Sequence, residues 1–336
     1  MSVEKKEKIA VCIPTYNQAQ YIELTIKSAL SQVGPFEIEI WVSDDASTDN
    51  TEEVMKRLCR QDKRIHYYKH PKNMGIADNR SWVLSQPQTE FIVSLDSDDI
   101  LKQEFLLNLV PKIRQHPNAG YAHAQCDTID ENGSIISNRK LFRDAEFIEP
   151  ETALKESIKG LKTTCSIILF RKKALEEANY TKNRPTYVED YDLTVRLADL
   201  GYGNVYVKKI LAQYRIWSIK GKARNNKNEQ IEGLCRIFEE SIIPAFKKRA
   251  WDLKEVNLER KNYAINYSLC LVENKDLSSL ERQKTITLLK RLGDSYHLRI
   301  RLFLYMLGLG RFFLIKRKII DTLKNQIKNV LMKRAS

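Results

Sequence analysis

The stretch FIVSLDSDD, residues 91–99, decides the reading of this chain. Phe91 to Leu95 fits a strand buried on both faces, and it stops abruptly at Asp96-Ser97-Asp98-Asp99. The same figure stands upstream. Ile9 to Ile13 is an apolar run that breaks at Pro14 and leads through a polar turn into a helical stretch, Tyr21 to Leu30. Phe36 to Val42 alternates apolar and polar residues and ends in Ser43-Asp44-Asp45, after which Ser47 or Thr48 is placed to cap a helix running to about Leu58. Ile65 to Tyr68 reads as a third strand and Ile76 to Leu84 as a helix. Strands that alternate with helices in this way predict an α/β fold. Its central sheet is mainly parallel, flanked by helices, with functional groups at the carboxyl ends of the strands.

Downstream of the acidic stop, a helix is expected from about Lys102 to Gln115, then a strand near Gly120 to Cys126. Asn132-Gly133 suggests a hairpin turn, which makes the sheet mixed. Thr164 to Phe170 reads as a strand, Asp190 to Leu200 as a helix ended by Gly201, and Ile210 to Ile216 as a last strand. After Trp217 the pattern changes: residues 218–229 read as a polar, basic loop, and the rest has helical periodicity. The expected division is a catalytic domain over residues 1–218 and a basic helical region over 219–336.

The chain has 336 residues, 43% of them hydrophobic and 29% charged, which excludes a disordered or low-complexity protein. No window holds the roughly 18 uninterrupted apolar residues of a membrane span, and the start lacks a signal-type core, so a cytoplasmic protein is expected. Six widely spaced cysteines read as buried free thiols. The net charge of +13 calls for an anionic partner, and it is concentrated late: from Arg299 to Arg334 Lys and Arg recur while Asp321 is the single acid.

Three acidic clusters carry the chemistry. Asp96 and Asp98, two residues apart, are placed to face a divalent ion that bridges a diphosphate, and hard carboxylate oxygens suit Mg2+ or Mn2+. A carboxylate of Asp44-Asp45 could accept a hydrogen bond from a base N–H. Glu189-Asp190-Tyr191-Asp192 opens a helix, where the helix dipole favours an ionised carboxylate able to act as a general base. Each cluster taken singly also fits a plain helix cap.

Taken together and in order, the motifs resemble the inverting family 2 glycosyltransferases with the GT-A fold. IPTYN at 13–17 is similar to that family's opening nucleotide loop, VSDDASTDNT at 42–51 to its base-binding segment, and NMGIADNR at 73–80 to its asparagine-glycine stretch before a basic residue. DSDD at 96–99 and YVEDYDLTVRLADLG at 187–201 complete the series, so the resemblance covers nearly all of residues 9–217. It implies that residues 1–100 bind a nucleotide-sugar, by default a UDP-sugar, and that residues 101–218 bind the acceptor. Pro14, Tyr16, Asp45 and Arg80 would hold the nucleotide and Asp96 the ribose. Asp98 would ligate Mn2+ or Mg2+, with Asp99 supporting or sharing that work, and Asp190 would be the catalytic base with Glu189 as its rival. A saccharide or lipid-linked acceptor of bacterial surface polysaccharide or glycolipid is the implied class.

Two departures from the family pattern stand out. The stretch QYRIWSIKGK has Trp217 where a metal-binding histidine is expected, so that ligand is absent or comes from elsewhere; Trp217 would stack on the acceptor or simply pack. Gln213 to Trp217 faintly matches the QxxRW signature of processive synthases, but Arg215 is one position early and no spans follow, which favours transfer of one sugar. In the tail, Ile319, Ile320, Leu323, Ile327, Val330 and Leu331 form a stripe beside lysines. It would dock on anionic lipid at the inner face of the membrane, or pack on the catalytic domain or a second subunit. The competing readings are a non-catalytic binding module of the same fold and a nucleotidyltransferase, which lacks its glycine-rich loop here. A nucleic-acid-binding protein would explain the charge but has no reading motif, and no nucleic-acid partner is expected.

Overall fold

A strand buried on both faces needs apolar residues at consecutive positions, and β1 (Glu7–Thr15) has them: every residue from Ile9 to Thr15 is buried. In a computed structural model, which describes residues 6–184, 188–217, 226–274, 277–310 and 312–313, the chain forms two units, Met1–Asn225 and Asn226–Ser336. The first unit follows β1 with α1 (Ile22–Leu30), β2 (Phe36–Asp44), α2 (Thr51–Gln61), β3 (Ile65–Lys69), α3 (Ile76–Ser85), β4 (Phe91–Ser94) and β5 (Ile100–Leu101). Next come α4 (Phe105–Gln115), β6 (Ala119–Ile129), β7 (Ile135–Arg139), β8 (Phe147–Ile148), α5 (Pro150–Ser157), β9 (Ile168–Arg171), α6 (Lys172–Glu177), α7 (Glu189–Asp199) and β10 (Gly203–Arg215).

The strands form one sheet in the order β3-β2-β1-β4-β9-β6-β10-β5, with β7 paired to β6 and β8 to β10. Strands β1 to β4 run parallel, β9 runs antiparallel between β4 and β6, and β10 is parallel to β6. The expected mixed α/β sheet is therefore present. The chain steps from β1 outward to β3 and then returns to the other side of β1 as β4, which opens a crevice at the carboxyl ends of β1 and β4. Alternate residues of β1 enter opposite cores. Ile9, Val11 and Ile13 pack with Ile22 and Ile26 of α1, Met55 of α2 and Phe105 of α4, whereas Ala10 and Cys12 pack with Leu84 of α3, Leu175 of α6 and Leu197 of α7.

Several boundaries differ from the sequence reading, each for a local reason. Neither Ser47 nor Thr48 caps α2, which starts at Thr51. Ala46 takes a φ of +61°, the Ser47 N–H donates to Asp44 Oδ1, and the Ser47 hydroxyl accepts from the Asn17 N–H. α4 starts at Phe105 because Ile100 and Leu101 pair with Gln213 and Ala212 of β10. β9 is shorter than expected, since Thr163 and Thr164 turn their hydroxyls to backbone carbonyls of Cys165 and Ala124. Helices α5 and α6 are too short to leave a periodic signal. Five cysteines are buried and Cys59 is half-buried; all six are free thiols.

The second unit is helical among its described residues: α8 (Lys227–Arg236) continues through a π-helical turn, Ile237–Ile242, into α9 (Ile243–Lys248), followed by α10 (Lys254–Tyr267), α11 (Cys270–Glu273), α12 (Ser279–Gly293) and α13 (Tyr296–Met306). Helix α8 starts inside the stretch read as a loop, because the Asn226 side chain caps it by accepting from Glu229 N–H. Ser278 and Glu281 form a capping box on α12. Gly293 lets α12 approach α10 closely; a Cβ there would stand 2.6 Å from the Arg260 backbone. No described helix is long and apolar enough to cross a membrane. The stripe from Ile319 to Leu331 lies outside the described residues.

Leu169, fully buried at the centre of the sheet on β9, tests this packing. Leu169→Ala should cost about 2–5 kcal/mol through lost transfer energy and a residual cavity, read as a lower denaturation midpoint by tryptophan fluorescence.

Candidate functional site

β1 and β2 end level with each other, with Thr15 opposite Asp44. The Asp45 N–H donates to Thr15 O (2.9 Å) and the Leu95 N–H to Cys12 O (3.0 Å), so the loops after β1, β2 and β4 leave the sheet at one edge. The first two are stapled together. Asn17, at a φ of +53°, accepts from Thr48 N–H (2.8 Å) and donates its own N–H to the Ser47 hydroxyl (2.9 Å), while Gln18 and Ala19 donate backbone N–H groups to Thr51 and Asp49 side chains. Between these loops Pro14 is buried and Tyr16 is 47% exposed, a ring left open to a ligand.

The acidic pair after β2 faces inward. Asp44 accepts from Ser47 N–H (2.8 Å) and from the Tyr67 hydroxyl (2.6 Å). Asp45, 3% exposed, accepts from Met74 N–H (2.7 Å) and Gly75 N–H (3.0 Å), and its carbonyl accepts from the Asn73 side chain. The carboxylate thus shapes the asparagine-glycine stretch, where Gly75 holds a φ of +87° that side chains disfavour, and it sets the start of α3.

That helix carries Arg80 into the interior. Its Nη2 donates to Asp96 Oδ1 (2.7 Å), Nη1 donates to the Ser94 hydroxyl (2.9 Å), and Nε lies 3.4 Å from Glu189 Oε1. Burial works against the arginine's charge, but the Asp96 and Glu189 carboxylates outweigh it and raise its pKa above the ordinary value. Burial pushes the Glu189 carboxyl up, against the pull of Arg80, and neighbouring Asp190 pushes it the same way. Asp96 also accepts from the Ser166 hydroxyl (2.8 Å). One guanidinium therefore gathers the end of β4 and the first turn of α7. In that turn Glu189 is enclosed, Asp190 is half-buried and accepts from the Tyr191 N–H, and Asp192 is buried between Arg184 and Arg196.

On the other side of DSDD, Arg215 at the end of β10 makes a second clamp. Its N–H donates to Asp99 Oδ1 (2.8 Å), Nε to Asp98 O (2.8 Å) and Nη1 to Asp130 O (2.8 Å), and its guanidinium lies over the Tyr21 ring at 4.5 Å. Asp99 is fully buried, and burial together with Asp98 and Asp96 raises its pKa well above the usual carboxylate range. Asp98, half-buried, accepts from the Trp217 indole N–H at 2.6 Å, and the Tyr21 ring meets the indole edge-on at 5.2 Å.

A divalent ion can be held either in a cage of protein ligands or by one or two carboxylates together with substrate phosphates and water. Among the described residues no three His, Cys, Asp or Glu side chains converge, so only the second mode fits, with Asp98 as the accessible carboxylate. Buried polar atoms without a protein hydrogen-bond partner support a ligand at this edge: Thr15 Oγ1 at the end of β1, Gln18 Oε1 beyond it, Asp99 Oδ2 after β4 and Thr128 Oγ1 near the end of β6.

The structure thus brings Arg80, Asp96, Asp98, Asp99 and Glu189 to one edge of the sheet, with Pro14, Tyr16 and Asp45 on the stapled loops beside it and Asp190 next to Glu189. The sequence reading missed the clamp made by Arg215, whose only signal was its place next to a tryptophan motif. It also missed Ser166, Ser43, His70 and Asn79. Ser43 donates to Asn79 Oδ1 (2.5 Å) and lies 2.9 Å from His70 Nε2 behind the Asp44–Asp45 turn.

The family model described as glycosyl transferase family 2 matches residues 10–178. A Campylobacter jejuni GalNAc(5)-diNAcBac-PP-undecaprenol beta-1,3-glucosyltransferase is 31% identical over 216 residues, 62% of this chain and 65% of that one, so this chain spans just under two thirds of that relative. The putative teichuronic acid biosynthesis glycosyltransferase TuaG of Bacillus subtilis is 24% identical over 73% of this chain and 93% of its own. Among solved structures, S. aureus TarS in complex with UDP-GlcNAc superposes with a TM-score of 0.62 at 21% identity, over 85% of this chain and 80% of that one. That likeness carries the fold alone, and the fold is GT-A.

Arg80→Met removes the shared partner of two buried carboxylates. It should lower stability by about 3–5 kcal/mol, measured by chemical denaturation, and an unchanged midpoint would mean that the bridge holds nothing together.

Proposed function

This chain belongs to glycosyl transferase family 2, and from that premise we propose that it moves one sugar, with inversion, from a UDP-sugar to a hydroxyl of a saccharide or lipid-linked acceptor in bacterial cell-surface polysaccharide synthesis. The observation that carries this reading is the Arg80 bridge, which joins Asp96 at the end of the donor-side strands to the acidic first turn of α7. The relatives point the same way: one is a transferase named for a PP-undecaprenol glycan, and TarS is seen with UDP-GlcNAc.

In this reading residues 1–100 take the donor and residues 101–218 the acceptor. Pro14 and Tyr16 line the nucleotide, and Asp96 meets the ribose. Asp45 and Arg80 also hold the nucleotide, Asp45 on the base and Arg80 near the diphosphate or the base, while their contacts within the protein position the loop and carboxylates around the donor. Asp98 is the carboxylate that would hold Mn2+ or Mg2+, with Asp99 buried behind it as support. The ion supplies positive charge that makes the nucleoside diphosphate a better leaving group.

Asp190 is the general base in preference to Glu189. A base must reach the acceptor hydroxyl in its ionised form, and Glu189 is enclosed, paired with Arg80 and shifted toward protonation by burial. Asp190 is half-buried at a helix start whose dipole favours the carboxylate. It removes the hydroxyl proton as that oxygen attacks the anomeric carbon. The bond from that carbon to the diphosphate oxygen breaks with its electron pair leaving on the diphosphate, and the configuration inverts. The basic helical region, 219–336, attaches the enzyme at the inner face of the cell membrane or to a second copy.

Calorimetric titration with UDP, dTDP, GDP and CDP, with and without Mn2+, tests the donor site. UDP should bind with metal, and chelation or Asp98→Ala should abolish that binding. Asp190→Asn should keep UDP binding while sugar transfer falls by about 10²–10⁴-fold. If no nucleotide binds under any metal condition, the reading fails.

A further inference from the structure

Behind the loops that carry Asp45 and Arg80 lies a buried polar network with no part in the transfer chemistry described above. His70, 7% exposed just past β3, places its Nε2 2.9 Å from the Ser43 hydroxyl, which lies 2.5 Å from Asn79 Oδ1. Asn79 Nδ2 returns a hydrogen bond to the Ser43 carbonyl (3.0 Å). These contacts assign each proton. A carbonyl only accepts, so the amide nitrogen of Asn79 is the atom turned toward Ser43 O, and its oxygen is the atom turned toward the Ser43 hydroxyl. The single hydroxyl proton of Ser43 goes to that oxygen. The imidazole is then the donor to Ser43, through a proton on Nε2.

We propose that His70 is a positioning residue for the donor nucleotide: as an Nε2–H donor to Ser43 it fixes the spacing between Asp45 and Arg80. This inference rests on the donor-site reading given under the proposed function and deepens it. Ser43 stands two residues before Asp45, and Asn79 is the residue before Arg80, so the network joins the two segments that hold the nucleotide. His70 grips the first of them twice. Its backbone N–H donates to Asp44 O (2.8 Å), the carbonyl of the peptide that leads into Asp45. The imidazole is itself held in place, because Tyr68 of β3 and Trp82 of α3 meet it edge-on at 4.9 and 5.0 Å and stack on each other at 4.7 Å. Burial lowers the pKa of His70, against the pull of Asp45 and Asp44, which keeps the ring neutral with one proton to place. A buried network in which every member is satisfied leaves β2 and α3 one relative position, and a missing donor removes that constraint.

In the wild-type protein, nitrogen NMR of the His70 ring should show the proton on Nε2 at neutral pH, and a proton on Nδ1 alone overturns the proposal. His70→Phe keeps a ring between Tyr68 and Trp82 but removes the donor, and it should weaken UDP binding in the presence of Mn2+ about tenfold by calorimetry. His70→Gln, whose amide N–H can stand where Nε2 stands, should recover most of that affinity. Ser43→Ala breaks the same network from its middle, so it reports even where His70→Phe fails to fold. Combined with His70→Phe, it should weaken UDP binding no further than either change alone. A folded His70→Phe or Ser43→Ala protein that binds UDP like the wild type gives the network a purely structural role and overturns the proposal, as does a His70→Gln protein no better than His70→Phe. A wild type that binds no nucleotide with metal takes down the donor-site reading and this inference together, whereas wild-type affinity matched by the variants sinks the inference alone.

Discussion

Two carboxylates, Asp96 and Glu189, are buried within reach of one guanidinium, and the geometry of this edge of the sheet depends on that charge being shared correctly. Without Arg80 they would be enclosed like charges, an arrangement that a low-dielectric interior penalises heavily. Arg80 is in place because of a chain of earlier constraints. Asp45 holds the Met74 and Gly75 N–H groups, Gly75 supplies the positive φ that starts α3, and α3 is buried deeply enough to bring Asn79, Arg80 and Ser81 inside. A loop at the end of β2 thereby determines where the first turn of α7 sits. Polar groups do this because each buried contact must be satisfied, which leaves the elements little freedom to slide.

The second clamp divides the work among neighbouring acids. Arg215 fastens the DSDD turn to the turn of the β6–β7 hairpin and to Tyr21 of the α1 entry. Asp99 turns into the protein to meet the Arg215 N–H, and Asp98 is left half-buried beside Trp217. An indole is a donor only, so Trp217 cannot replace a metal-binding histidine. What it does is hold one oxygen of Asp98 through its N–H. The position read from sequence as a stacking or packing residue is thus a hydrogen-bond donor to the carboxylate expected to carry the ion.

Much of the fold was legible because its signals are local. Buried parallel strands show as apolar runs at β1 and β4, and carboxylates at the ends of β2 and β4 mark the edge where the chain leaves the sheet. The start of α2 was misread because a capping serine and a serine bonded across loops look alike in sequence, and only the Asn17 contact separates them. Short elements such as β5, β8, α5 and α6 have too few residues for a period to emerge.

The sequence by itself determined the alternation of strands and helices, the order of the acidic motifs and the late concentration of positive charge. Each of these is written in neighbouring residues and the periodicity of apolar positions. Only the tertiary structure decided which acids face inward and which outward, that Arg80 and Arg215 serve protein carboxylates and carbonyls, and that α13 turns an apolar face to solvent. Those outcomes depend on partners 14 to 117 residues apart meeting in a dry interior, where hydrogen-bond satisfaction and burial, not local propensity, select the arrangement.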